Sequence, residues 1–314
     1  MNKDIRTYLS KCRDAYFNGR PVIPDEVYDR LVDNINTDDV GSATDSRYKH
    51  PFPMYSLQKV FADEDSAPDY GKEAVVTTTK LDGAAVSLTY IDGVFHQALT
   101  RGDGKAGLDI TDKMQCIVPP MLDKYAFQGV RQITGEVVAP KEIPNSRNYA
   151  AGALNLKDVQ EFKKRDLTFI AYGVQPTIGA RWLEDMKFLS NWLKVISASD
   201  WNEFPNDGVV FRVDRYVAFE KLGYTSHHPR GAYAYKTRAE GVVTKLLDVE
   251  WNTGKSGVIA PTGILEPINI NGATISRATL HNIAFIDEMM LELGCSVEVI
   301  RSGEIIPKVV RRVD

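Results

Sequence analysis

Asp92-Gly93 sits between two runs of β-branched and apolar residues, Ala84 to Tyr90 and Val94 to Thr100. A two-residue hairpin turn needs positive φ at both central positions, which Asp-Gly accepts, so the runs read as paired antiparallel strands. This turn chemistry constrains the fold more than composition does. From residue 240 onward, short strand-like runs alternate with turn signals at Asn252-Thr253-Gly254, Ser256-Gly257, Pro261-Thr262-Gly263, Asn271-Gly272 and Ser302-Gly303, interrupted by one helix expected near Ala278 to Leu293. Short strands plus a single helix in so short a segment predict a small barrel of the oligonucleotide-binding (OB) type.

The rest of the chain divides by pattern. Residues 1 to about 46 read as helical: Ile5, Tyr8, Leu9 and Cys12 recur at helical spacing, Asn18-Gly19-Arg20-Pro21 breaks the run, and a second helix is expected near Asp25 to Ile35. From about 50 to 238 the pattern is mixed, with strands expected at Val75 to Leu81, Arg131 to Val138, Leu167 to Val174, Gly208 to Val213 and Ala232 to Lys236. With 314 residues, 43% hydrophobic and 25% charged, the chain can build two or three domains with real cores. Its charged N-terminus, MNKDIRTYLSKCRD, and the lack of any run near the ~20 apolar residues of a membrane span point to the cytoplasm, or a host's cytoplasm were the source viral. Cys12, Cys116 and Cys295 are too scattered for a disulfide framework or a structural zinc site. A net charge of −4 argues against broad, non-specific nucleic-acid binding but allows a local basic groove.

Lys80 is the odd residue in its strand. A lysine there either snorkels from a sheet edge or aims its amine into a pocket for chemistry. Lys-x-Asp-Gly alone is a weak motif. Four further segments change its weight: TRGDG (100–104), whose glycines would let backbone N–H groups approach a phosphate beside Arg101; TGEVVAP (134–140) with Glu136; NDGVVFRVD (206–214) with Asp207 and Arg212; and RGAYAYKTR (230–238) with Lys236. Singly, each is a charge at a sheet rim. Asp25, Tyr28 and Asp29 fall at i, i+3 and i+4, so two carboxylates and a ring share one helix face. That face attracts a cation, although acids in a first helical turn also simply complement the helix dipole.

Taken in order, these segments resemble the NAD-dependent DNA ligases, and the resemblance runs almost from end to end. KLDG (80–83), TRGDG, GEV with Glu136, DGVVFR (207–212) and AYK with Lys236 match the family's nucleotidyltransferase motifs. IPDEVYDRL (23–31) matches its nicotinamide-binding domain, and HPFPMYSLQKVF (50–61) and NSRNYAAGAL (145–154) look like further signatures. The stretch from 253 to 282 is similar to its barrel. The implied fold is α+β: a helical domain at 1–46, an ATP-grasp-like mixed-sheet nucleotidyltransferase domain at 47–238, and an OB-fold barrel at 239–314.

The resemblance implies that Lys80 attacks the α-phosphate of NAD, releases nicotinamide mononucleotide and carries AMP to the 5′-phosphate of a nick, which the 3′-hydroxyl then seals. A free lysine of pKa ~10.4 is almost wholly protonated near neutrality, so desolvation, Arg212, Lys236 and a magnesium ion are expected to activate it. Asp82 would act against this if close, and is expected to serve catalysis at the nick. Lys236 and Arg101 are expected on the phosphates with Asp207 beside them, Glu136 on a ribose hydroxyl, Tyr172 stacked on adenine, and Ser56 and Leu57 around the nucleoside. Tyr16, Asp25, Tyr28 and Asp29 take the nicotinamide half. Arg147, Lys255, Arg277 and Arg301 are expected on DNA phosphates, with Thr279, His281 and Asn282 in the duplex-contacting ATLHN segment. No metal-binding positions are readable.

Five positions depart from the family pattern. Thr78 replaces a glutamate that contacts the adenine edge, Arg212 a lysine, Ala15-Tyr16 a Tyr-His pair, and Asn155 an arginine. The family continues past its barrel with a zinc module and a helix-hairpin-helix module, which are expected here from a second polypeptide, a truncated chain being the alternative. Two other functions compete: an ATP- or GTP-dependent RNA ligase or capping enzyme, against which the Asp25-Tyr28-Asp29 face speaks, and a non-catalytic DNA-binding subunit, against which Lys80, Glu136 and Lys236 speak.

Overall fold

In the computed structural model, which describes residues 2–18, 20–39, 47–61, 66–236, 241–253, 259–270, 273–302 and 306–314, the chain divides into two units, 1–236 and 237–314. The first opens with helices α1 (Asn2–Phe17) and α2 (Asp25–Asp39). Strands β1 (Arg47–Lys49), β2 (Gln58–Phe61), β3 (Val75–Leu81), β4 (Ala84–Ile91), β5 (Val94–Thr100) and β6 (Ala106–Leu108) follow. Next come α3 (Thr111–Met114), β7 (Val130–Val138), α4 (Ser146–Leu154), α5 (Val159–Lys163), β8 (Thr168–Gln175), α6 (Trp182–Leu189) and β9 (Lys194–Val195). The unit closes with α7 (Asp200–Glu203), β10 (Asn206–Val213), α8 (Tyr216–Leu222) and β11 (Ala232–Lys236).

Two larger sheets, ordered β2-β11-β10-β3 and β5-β4-β7-β8-β9, carry this unit, and β1 pairs with β6 in a small third one. The expected hairpin is β4 and β5, turning on Asp92 (φ 50) and Gly93 (φ 77). In the middle of the second sheet, β4 buries Val86, Leu88 and Tyr90 on one face and Ser87 and Thr89 on the other. The chain passes from one sheet to the other at Asp82-Gly83. A Cβ on Gly83 would lie 2.3 Å from the Val137 carbonyl oxygen, so the crossing fits only glycine, and Lys80, three residues before it, is near enough to Glu136 of the other sheet to act on its charge. Gly208 marks the matching irregularity: its φ is 150 and the β10–β3 register shifts between Asn206 and Val209. Such a bulge re-aims the neighbouring side chain, here Asp207.

The helical segment is bound into the same unit. Ile5, Tyr8, Leu9 and Cys12 of α1 and Val27, Leu31 and Ile35 of α2 form one cluster with Val130, at the start of β7, with Phe52 and Ile91 packed at its edge. Asn34 clamps the Lys49 backbone through both its amide and carbonyl (2.9 and 2.8 Å), and Arg30 donates to the Pro51 carbonyl at 2.7 Å. These bonds fix the entry of the segment beginning at His50.

The second unit is a closed barrel of β12 (Val242–Thr253), β13 (Ile259–Ile270), β14 (Ala273–Thr279), β15 (Ser296–Ser302) and β16 (Ile306–Arg312), in the order β12-β13-β14-β16-β15, with helix α9 (Ile283–Glu288) between β14 and β15. Two expectations need correcting here. The helix is not the Ala278 to Leu293 stretch: Ala278 is buried in the barrel as part of β14, Leu280 bonds back to Pro261, and Asn282 caps a helix of six residues. Pro261-Thr262-Gly263 is not a turn either, since it pairs with Glu250 and Val249 inside β13, where Gly263 lies beneath Leu246 and Leu280. Barrel packing outweighs local turn propensity at both places. Ser256-Gly257 and Asn271-Gly272 lie outside the described residues.

Candidate active site

β3 is the edge strand of its sheet, and from it the Lys80 ammonium reaches Asp207 Oδ1 at 2.7 Å. Asp207 Oδ2 takes a second ion pair from Lys236, so one carboxylate holds two lysines from two strands. All three side chains are partly buried, with 25%, 30% and 17% of Lys80, Asp207 and Lys236 exposed. Burial alone would raise the Asp207 carboxyl, but the two lysines outweigh it and hold the group below the usual carboxylate range. Asp82 is bonded at 3.1 Å to Arg147 of α4, so Arg147 already holds a carboxylate.

Glu136 on β7 faces this pair. Burial pushes its carboxyl up to about 7; Lys80 pulls it back and Asp82 adds to the rise. Tyr172 on β8 lies beside Glu136, and burial followed by the Glu136 charge raises its hydroxyl further above the ordinary tyrosine range. The Tyr172 carbonyl accepts from Trp182 Nε1 at 2.9 Å, while the Trp182 N–H donates to the Asp214 carbonyl at 2.8 Å. Trp182 therefore ties β8 of one sheet to the residue just after β10 of the other. No signal in the sequence singles it out.

Arg101 is exposed at the end of β5, close enough to Glu136 and Tyr172 to act on both charges. Of the glycines beside it Gly104 is engaged: its N–H donates to the Arg101 carbonyl and its carbonyl accepts from the Met54 N–H, closing its own turn and docking the 50–54 segment. His50 completes the docking. Fully buried, it bonds Ser87 Oγ (2.8 Å) and the Arg101 carbonyl (3.0 Å), and burial lowers its pKa, keeping the ring neutral. Within HPFPMYSL no local signal marks His50 for this role.

Arg212 does not reach Lys80. Its place in register, opposite Val76, is four residues down the strand, and its guanidinium lies 4.1 Å over the Phe219 ring of α8. Ser56 and Leu57 lie at the same end: Leu57 packs against Phe219, and Ser56 Oγ bonds His228 Nδ1 at 3.1 Å, a second histidine that the sequence left unremarked.

The adenylation-domain model of the NAD-dependent DNA ligases matches residues 42–240, and the OB-fold domain model of the same enzymes matches 243–314. This chain belongs to the NAD-dependent DNA ligase family. A DNA ligase of Macrococcus caseolyticus is 34% identical over 95% of this chain and 55% of the relative, and one of Corynebacterium aurimucosum is 33% identical over 98% and 55%. The solved structure named Pmar-Lig_PreS3 covers 96% of this chain and 79% of its own at 13% identity and TM-score 0.46. The chain spans about half the length of the ligases it matches, 55% in each of these two. Those ligases carry their further length on the same polypeptide and so lend no support to a second subunit.

The remaining positions of this ligase-family chain fall on its helices and its barrel. Asp25 and Asp29 are exposed on α2 and Tyr28 is half-buried beside them, while Tyr16 is 53% exposed on α1. Tyr28 also borders a groove of about 250 Å³ lined by Arg6, Ser10 and Arg13, so its surroundings are not purely acidic. In the barrel, Arg277 is held by both oxygens of Glu250. Arg301 is half-buried, reaches the Ile270 carbonyl at 3.4 Å and has a buried Nε without a partner, so it is partly a barrel residue. Thr279 Oγ1 accepts from the His281 N–H, His281 adopts φ 62, and Asn282 Oδ1 caps Phe285. ATLHN is thus a built turn presenting the exposed His281 and Asn282. Lys255 lies outside the described residues. Among the described residues no group of three or more His, Cys, Asp or Glu side chains could hold a metal, and no helix is long and apolar enough to cross a membrane.

Proposed function

We propose that this chain is the catalytic part of an NAD-dependent DNA ligase acting on nicked duplex DNA in the cytoplasm, with Lys80 as its nucleophile. The observation that carries the reading is the single Asp207 carboxylate gripping Lys80 and Lys236, with Glu136 close enough to feel both Lys80 and Arg101. Phosphoryl-type transfer needs positioned cations more than covalent chemistry. Two lysines and an arginine around one carboxylate supply them. An incoming pyrophosphate would compete with Asp207 for Lys236, and the freed Lys80 amine is then held against the α-phosphorus.

In this reading Lys236 and Arg101 bind phosphate, Glu136 takes a ribose hydroxyl, Tyr172 lies on the base, and Ser56 and Leu57 close the nucleoside. Tyr16, Asp25, Tyr28 and Asp29 receive the nicotinamide half. Asp82 and Arg147 form a pair that a DNA phosphate can open, and Lys255, Arg277, Thr279, His281, Asn282 and Arg301 make the barrel's DNA-facing set. The functional divisions are 1–46, 47–238 and 239–314.

Magnesium prefers one or two carboxylates shared with substrate phosphates over an all-protein cage. Asp82 and Glu136, close enough to raise one another's cost of ionisation, suit it. When bound, the ion neutralises phosphate charge.

The test is incubation with NAD and magnesium, followed by intact mass measurement. One added AMP with NAD, and none with ATP, is expected. An adduct from ATP but not from NAD would favour the RNA ligase or capping reading.

A further inference from the structure

β3 and β10 lie side by side with Thr78 opposite Val210 and Val76 opposite Arg212. Directly opposed residues of antiparallel strands share a face, as do alternate residues along a strand. Lys80, Thr78, Val210 and Arg212 therefore line one face of the sheet. Arg212 stands four residues from Lys80 along it, about 13 Å at the rise of a strand, and its own side chain shortens that gap. In the proposed reading Ser56 and Leu57 close the nucleoside, and Leu57 packs on the cluster that holds Phe219, so a purine nucleoside whose α-phosphate sits at Lys80 directs its base toward this end.

The chemistry waiting there is one-sided. Arg212 Nε is buried without a hydrogen-bond partner, and its guanidinium lies against Phe219 and Tyr216, at 4.1 and 5.8 Å from the ring centroids. Glu220 and Asp185 are the carboxylates that act on it electrostatically. Both are engaged elsewhere: Glu220 accepts from the Tyr224 hydroxyl at 2.7 Å, and Asp185 accepts from the Tyr216 hydroxyl at 2.6 Å and from the N–H groups of Ile178 and Gly179. A guanidinium held on ring faces, with no ion pair to a carboxylate among the described residues, keeps donors to offer to a ligand acceptor. Beside it Thr78 brings a hydroxyl, which donates or accepts, and no negative charge.

Base edges differ in what they ask of such a site. Guanine and hypoxanthine present two acceptors, O6 and N7, which an arginine fork meets bidentately, whereas adenine sets an amino donor beside each acceptor and calls for a paired donor and acceptor. We infer that the base end of this pocket accepts 6-oxopurines, so that nicotinamide guanine dinucleotide and nicotinamide hypoxanthine dinucleotide charge Lys80 about as well as NAD does. This rests on the reading of Lys80 as the residue that NAD charges. The step is the same for all three donors: the neutral Nζ forms a bond to the α-phosphorus, the bond from that phosphorus to the bridging oxygen breaks, and its electron pair leaves with nicotinamide mononucleotide. The amine's second proton goes to solvent.

The test incubates the full chain with magnesium and each dinucleotide in turn, following adduct formation by intact mass; the guanine adduct is heavier than the adenine adduct by one oxygen. Labelling by the two 6-oxo donors at rates within about tenfold of NAD is expected, tenfold corresponding to about 1.4 kcal/mol. Thr78→Glu, which adds an acceptor and repels O6, should move the guanine-to-adenine ratio at least about tenfold toward adenine, and a ratio within one protein is insensitive to partial misfolding. Labelling by NAD with slower than tenfold-reduced labelling by both 6-oxo donors overturns the inference and leaves the ligase reading standing. A ratio unmoved by Thr78→Glu shows that another group reads the base, which also overturns it. Absence of labelling by NAD itself refutes the underlying reading, and this inference with it.

Discussion

Replacing Asp207 with asparagine removes one negative charge and leaves Lys80 and Lys236 facing each other across a neutral amide. The structure sets the scale. Two hydrogen bonds between charged groups are lost, each worth about 1.5–3 kcal/mol when well formed, and the partial exposure of all three side chains reduces the total to about 2–4 kcal/mol. For a folded unit of this size that is a fall in Tm of roughly 5–15 °C. The chemical effect should be larger than the loss of stability. With its anchor gone, the Lys80 amine is free to move away from the line of attack, and a misplacement of about 1 Å costs on the order of 100-fold in rate. Single-turnover adduct formation from NAD, measured below the lowered Tm, should therefore fall at least about 100-fold. Asp207→Glu should recover part of it. Charging by Asp207→Asn at the unmodified rate would refute the idea that this carboxylate positions the nucleophile.

Other outcomes follow from the same geometry. Glu136 has a folded-state pKa of about 7 against an ordinary 4.5, so it disfavours folding once it must ionise: stability is full below the ordinary value and falls as pH rises through about 7, by on the order of 3 kcal/mol, and Glu136→Gln should flatten that part of a Tm-against-pH curve. The depressed Asp207 carboxyl works oppositely, its contribution being present above the ordinary carboxylate range and lost on acidification through its lower folded value, a slope that Asp207→Asn should erase. Tyr28→Ala or Asp29→Ala should slow charging by NAD far more than sealing of an already adenylated nick; equal losses in the two assays would make the helices structural. Glu250→Gln frees Arg277, so affinity for nicked duplex should rise and the slope of log K against log salt should steepen by about one contact, as titrations at several salt concentrations would reveal.

Much of the fold is legible in the sequence because its signals are local. Asp92-Gly93 dictates a hairpin through its own dihedral angles, and the spacing of Ile5, Tyr8, Leu9 and Cys12 places a buried stripe on α1. Strand periodicity puts Lys80 on the same face as Thr78. The partner of Lys80 is not legible in this way. Asp207 reaches it through a bulge at Gly208 and a pairing 127 residues away in sequence, whereas Asp82, two residues away, is turned toward Arg147. The orientation of Arg212 is hidden for the same reason, since Phe219 of α8 and the strand register fix it together. Ala278-Thr279 and Pro261-Thr262-Gly263 mislead because closing the barrel overrides their intrinsic preferences. The Glu250–Arg277 pair, across 27 residues, has no local trace.

The central claim is that one amine, that of Lys80, becomes covalently linked to the nucleotide. Peptide mapping of the chain after incubation with NAD and magnesium tests it most directly, in parallel with the Lys80→Ala variant. The AMP mass should reside on the peptide containing Lys80, with fragment ions assigning it to that side chain, and the variant should carry none while remaining folded, its Tm lowered by less than that of Asp207→Asn. An AMP adduct found on Lys236 or any other residue, or an undiminished adduct on the Lys80→Ala protein, would contradict the account.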